Sequence, residues 1–146
     1  MDIHGVPIYG TPPKTIDKLM QVLIPADVEG LKRIHFISGN FGGHNGVYLQ
    51  AIKTDDWFEI KQVNEPIAAD KMPCIVVNTN QEELLTALVF LHEVGHHHHR
   101  MANMDEDASE IAACVFAIAK ASMAYQVDAV PGNKHWEEAT KAMGLI

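Results

Sequence analysis

The residues best suited to chemistry stand in one short run, His92-Glu93-Val94-Gly95-His96. Two histidines four positions apart on a helix project about 40° apart, given about 100° per residue. Their imidazoles can therefore grip one ion from a single rigid element. Glu93 follows the first histidine directly and is placed to serve as general base for a water polarised by that ion. Such a water loses its proton near neutral pH, so a nucleophile forms without strong base. Gly95 keeps the helix thin where another element must approach. Apolar Leu84, Leu85, Leu88 and Leu91 precede the run, which implies partial burial. A buried pair of imidazoles with a carboxylate needs a compensating partner, and a cation provides one.

A tetrahedral catalytic zinc takes three protein ligands and keeps its fourth position open. The candidates for the third are Asp105, Glu106, Glu110, the neighbouring His97, His98 and His99, and the distant His4, His35, His44 and His135. His97 and His98 point off the ligand face. His99 returns to it about 10 Å along the axis from His92, too far for one ion. The tract His97-His98-His99 thus reads as a solvated helix end. Among the acids, a hairpin argument applies. The first helix runs to about Met101, the chain turns near 102–104, and a second helix comes back. Glu110 then lies level with His96, beside apolar Ile111, Ala112 and Ala113, where an unpaired carboxylate would be costly. Asp105, Glu106 and Asp107 are explained as acids at a helix start, although Glu106 and Asp105 stay open as third ligands. Glu110 has a second reading as the last member of a capping box, Asp107-Ala108-Ser109-Glu110.

The elements that must position these groups follow from periodicity and punctuation. Thr11-Pro12-Pro13 reads as a helix start, and Ile16, Leu19, Met20 and Leu23 recur at helical spacing until Pro25. Strand candidates are 34–37, 47–52, 57–63 and 74–77, with the polar, Pro66-containing 64–72 read as a loop. Residues 1–78 thus carry the sheet. Asn80-Gln81-Glu82-Glu83 reads as a capping box ahead of the first histidine helix, which Asn103 can end in a left-handed conformation. A second helix runs towards Gln126, and a short third spans 135–143.

The chain has 146 residues, of which 47% are apolar and 21% charged, so a disordered tail is excluded. That length fits one domain, 1–146, able to bury roughly 68–70% of its unfolded surface. Nineteen acidic residues oppose eleven basic ones for a net charge of −8, which disfavours direct nucleic-acid binding. Cys74 and Cys114 sit in apolar runs and read as buried free thiols, not a disulfide framework. The N-terminus carries no basic and apolar signal pattern, and the longest apolar stretch, 111–119, is far short of a membrane span. Together these point to a cytoplasmic chain with no membrane partner.

His92-Glu93-Val94-Gly95-His96, followed by Glu110-Ile111-Ala112-Ala113-Cys114-Val115-Phe116-Ala117, resembles the zincin metallopeptidases of the glutamate-ligand type. The pattern is most like that of the ImmA/IrrE metallo-endopeptidases, HE-x-G-H and then E-x-x-A-x-x-F-A on the next helix. The resemblance covers 92–117, with the short strand 75–78 as its upstream companion. It implies a minimal zincin-like α+β fold in which an N-terminal helix and a small mixed sheet precede an active-site helix and a glutamate helix. It also implies one zinc held by His92, His96 and Glu110, with Glu93 as catalytic base in hydrolysis of a peptide or protein substrate. In zincins the edge strand holds that substrate extended, and Tyr125, His135 and His44 are candidates for stabilising an oxyanion. The alternative reading is a non-enzymatic, His-rich metal-binding or scaffolding protein.

Overall fold

The computed structural model describes residues 1–38, 45–50 and 71–124, together with the backbone of 57–60, 65–68 and Tyr125. The fold is α+β. Strands β1 (Asp2–Ile3) and β2 (Val6–Gly10) lead into helices α1 (Ile16–Val22) and α2 (Pro25–Val28), then strand β3 (Arg33–Ile37). Strands β4 (Gly46–Leu49), β5 (Trp57–Ile60), β6 (Glu65–Ala68) and β7 (Cys74–Asn78) precede the long helices α3 (Glu83–His98) and α4 (Glu106–Tyr125).

Five strands form one mixed sheet in the order β1-β2-β3-β7-β4, and β5 and β6 pair as a separate hairpin. The centre is parallel: Ile34 stands beside Ile8 on one side and Ile75 on the other. Both outer pairings are antiparallel. Alternation along the central strands divides the sheet into two faces. Ile34, Phe36, Ile75 and Val77 pack under the helices with Leu19, Leu88, Phe90, Leu91 and Phe116. Ile37, Cys74 and Val76 lie on the opposite face against Val47 and Leu49. Strands covered on both sides read as continuous apolar runs, as 74–77 does.

Helix α3 is buried along most of its length, from Thr86 to Leu91 and again at Glu93, Val94, Gly95 and His97. It packs on α4, α2, β4 and β7. The antiparallel α3–α4 pair is the element that builds the site. Among the described residues no helix is long and apolar enough to cross a membrane.

Several local expectations change. Two N-terminal strands occupy residues read without regular structure, and α1 starts at Ile16, because Thr11 still donates its N–H to the Phe36 carbonyl at 2.9 Å. Part of 64–72 is strand β6, where Glu65 faces Ile60 across the hairpin. Helix α3 starts at Glu83 with Glu82 as its cap residue. No side chain caps it, so the box at 80–83 does not form; Asn78 instead closes a turn ahead of the helix, its side chain accepting the Asn80 N–H at 2.9 Å. Helix α3 ends at His98 rather than Met101, and Asn103 is not among the residues with positive φ. The last carbonyls keep backbone partners, Gly95 O from His99 N–H at 3.1 Å and His97 O from Arg100 N–H at 3.2 Å, and side chains add to them, since His99 Nδ1 donates to Gly95 O at 2.9 Å and Arg100 to His97 O at 2.9 Å. Strand β4 covers 46–49 of the expected 47–52 and β5 covers 57–60 of the expected 57–63, while residues 51–52 and 61–63 and the third helix at 135–143 lie outside the described residues.

Candidate metal centre

The i, i+4 spacing on α3 places His92 and His96 side by side, with ring centroids 4.7 Å apart and Nε2 atoms 3.1 Å apart. Glu110, in the fifth position of α4, completes the group. Its Oε2 lies 3.1 Å from His92 Nε2 and its Oε1 2.9 Å from His96 Nε2. Among the described residues this is the group of His, Cys, Asp and Glu whose ligand atoms converge, all within 4.8 Å of one another. The two imidazoles are mostly covered, at 12% and 16% exposed, whereas the Glu110 side chain is 55% exposed. The site therefore opens to solvent on the Glu110 side.

The donor set fits a metal ion. Donors at about 2.0–2.1 Å from one tetrahedral ion stand about 3.3–3.4 Å apart. The two Nε2 atoms stand 3.1 Å apart, and each has a different Glu110 oxygen at 2.9–3.1 Å, so a turn of the carboxylate with a small outward adjustment admits an ion. Burial, then His96, lowers the His92 pKa below the usual histidine range. A neutral imidazole is the form that ligates metal. Without an ion an imidazole can carry its hydrogen on Nε2 and donate to the Glu110 carboxylate; with both Nε2 atoms free of hydrogen, the two lone pairs and the carboxylate could hold one cation.

Both Nδ1 atoms are also occupied, and by α4. His96 Nδ1 lies 3.2 Å from Ser109 Oγ, and His92 Nδ1 lies 3.3 Å from Cys114 Sγ. Cys114 is a free, buried thiol whose pKa is pushed up to about 11 by burial first, then by Glu110 and Glu93. Read from the sequence, Ser109 belongs to a capping box and Cys114 is a buried thiol, and neither has a role at the site. The available signal was spacing, because Cys114 stands one helical turn after Glu110 and shares its face.

Glu93 is 8% exposed, and burial, with the Glu110 charge second, raises its pKa to about 8. A buried acid beside a group that could hold a metal is suited to proton transfer near neutral pH. Two close approaches fix its surroundings. A Cβ on Gly95 would stand 2.9 Å from Ala113 Cα, so glycine here lets α4 close on α3. A Cβ on Gly46 would stand 2.5 Å from Val89 Cγ1 and 3.4 Å from Glu93 Cγ, so the start of β4 lies against Glu93.

The other candidate ligands go elsewhere. Asp105 caps α4, accepting the Ala108 N–H at 2.7 Å. Helix α4 begins at Glu106, so the capping box at 107–110 does not form. Glu106 is exposed and outside the converging group. The histidine tract is a solvated helix end only in part: His98 is exposed and His99 half-buried, but His97 departs from the expectation. His97 is fully buried, donating from Nε2 to Glu29 O at 2.6 Å and accepting from the Tyr48 hydroxyl at Nδ1 at 2.7 Å. Burial lowers the His97 pKa and raises that of Tyr48 to about 12, so both stay neutral in this bridge. His98 pairs with buried Asp27 at 3.1 Å, and Lys120 reaches the same carboxylate at 3.2 Å. Strand β7 is not the sheet edge; it lies between β3 and β4, and β4 is outermost. His44, His135 and the Tyr125 side chain lie outside the described residues. No protein-family model matches the chain, and neither a curated protein nor a solved structure matches it.

Proposed function

We propose that the chain is a zinc-dependent peptidase of the zincin type, related in its site to the ImmA/IrrE metallo-endopeptidases. The observation that carries this reading is the meeting of His92, His96 and Glu110 at 2.9–3.1 Å, with the buried carboxylate of Glu93 on the same helix. His92, His96 and Glu110 would hold the zinc. When bound, the ion supplies Lewis acidity towards a carbonyl oxygen and lowers the pKa of a water. Glu93 then takes the proton of the attacking water and returns it to the departing amine. Burial suits Glu93 to both steps, since a carboxyl group held out of water exchanges its proton near neutral pH.

Strand β4 supports a peptide substrate in particular. It is the outer strand of the five-stranded sheet, and Gly46 sets its first residue against Glu93. An extended peptide added along such an edge would place its backbone beside the base. The His97–Tyr48 bond ties the middle of β4 to α3, so edge and base keep a fixed spacing.

The test is digestion of a peptide library by the chain loaded with one equivalent of zinc, with and without chelator. Cleavage that stops on chelation and returns with zinc is expected. A chain with one zinc tightly bound that cleaves no peptide in the library would overturn the peptidase reading.

A further inference from the structure

We propose that Ser109 and Cys114 are positioning residues of the metal centre, each engaging the Nδ1 of one histidine so that both Nε2 atoms face Glu110. The inference rests on the metal reading above and extends it from the ligands to what aims them. An imidazole offers two nitrogens, and the partner of one decides which is left for an ion. Here the pairing is one to one: Ser109 Oγ at 3.2 Å from His96, Cys114 Sγ at 3.3 Å from His92. Both partners come from α4 and flank Glu110 in sequence. One helix thus supplies a ligand and orients the other two, while α3 supplies the imidazoles and Glu93. With an ion on the Nε2 atoms, each Nδ1 carries hydrogen and donates, to the serine hydroxyl oxygen and to the thiol sulfur.

Sulfur is a weak acceptor, so packing must assist at Cys114, and packing is available. Cys114 is buried one position after Ala113, the residue that meets Gly95. Ser109 is half-buried in the first turn of α4, with its own N–H fixed on Asp105 O at 2.9 Å. The two contacts therefore come from backbone positions that are already anchored.

The experiment compares the parent with Ser109→Ala, Ser109→Thr and Cys114→Ala by Zn2+ titration and by proton–nitrogen NMR of the zinc-loaded imidazoles. The parent should show a slowly exchanging Nδ1–H for each histidine. Ser109→Ala should lose protection at His96 only and Cys114→Ala at His92 only, each with about 10–100-fold weaker zinc binding. Ser109→Thr keeps the hydroxyl and should bind within about threefold of the parent. Should Cys114→Ala fail to fold, the alanine and threonine variants at 109 decide alone. A zinc-binding parent with unchanged Nδ1–H signals and affinity in the alanine variants overturns this proposal and leaves the metal reading standing. A folded parent that binds no zinc overturns both.

Discussion

Replacing Gly95 by alanine tests whether the α3–α4 approach holds the centre together. The new Cβ would lie 2.9 Å from Ala113 Cα, 3.0 Å from Ala113 O and 3.2 Å from Phe116 Cβ. Comfortable carbon–carbon contact starts at about 3.5 Å, so α4 must retreat by roughly 0.6 Å. The obstruction is backbone, which cannot swing aside as a side-chain end can. Overpacking of this kind costs about 1–3 kcal/mol, and the better helix propensity of alanine returns about 1 kcal/mol. A net loss of about 1 kcal/mol follows, or a fall of about 2–4 °C in Tm for a chain of this size. Glu110 travels with α4. Metal–ligand distances tolerate about 0.2 Å, so zinc affinity should fall about tenfold or more, at least 1.4 kcal/mol. Thermal unfolding of the metal-free chain and competitive zinc titration measure the two effects separately. A variant that melts higher than the parent by the full propensity gain, with unchanged zinc affinity, would refute the close-packed hairpin.

Other outcomes follow from the same geometry. Glu110→Ala should weaken zinc binding strongly while Glu106→Ala leaves it near the parent value; a site emptied by the second change and not the first would reverse the ligand assignment, read by titration. His97→Gln should cost about 1–3 kcal/mol in denaturant unfolding, because the Tyr48 hydroxyl loses its buried partner while the Glu29 carbonyl keeps Arg100 at 3.0 Å; stability equal to the parent would show that the bridge contributes nothing. In the metal-free chain Glu93 has a pKa raised from the ordinary 4.5 to about 8, so the folded state binds its proton more tightly than the unfolded state does. The stability this gives is full below about pH 4.5 and is lost as the pH rises towards 8. Glu93→Gln should remove that decline from a pH series of denaturant melts, and identical slopes for parent and variant would exclude it.

What could be read from the sequence was the local part of the architecture. The spacing His92–His96 fixes a shared helical face, and the hairpin return finds Glu110, because both depend on helix geometry alone. Strands 34–37 and 74–77 were visible as apolar runs because they are buried on both faces. The misreadings lie where partners are distant in sequence. Strand β2 is made by parallel pairing with β3, and Val6-Pro7-Ile8 carries little local pattern to announce it. That β4 and not β7 forms the edge is a matter of strand order, which no window of residues encodes. His97 misled for another reason. A helix buried on most of its surface has no solvent face to infer, so a histidine one step from a ligand can belong to the core. Ser109 and Cys114 were passed over because neither is a common metal ligand, and their contacts show only once both helices are docked.

The central claim is that this centre hydrolyses peptides through Glu93, on a metal that Glu93 does not hold. The most direct measurement is the peptide-cleavage rate of the zinc-loaded Glu93→Gln chain against the zinc-loaded parent, with zinc occupancy measured in both. The variant keeps the shape of the side chain and removes the base. The account predicts one zinc in each, at near-equal affinity, and a cleavage rate lower by about 10²–10⁴ in the variant. Equal rates at equal occupancy would contradict it.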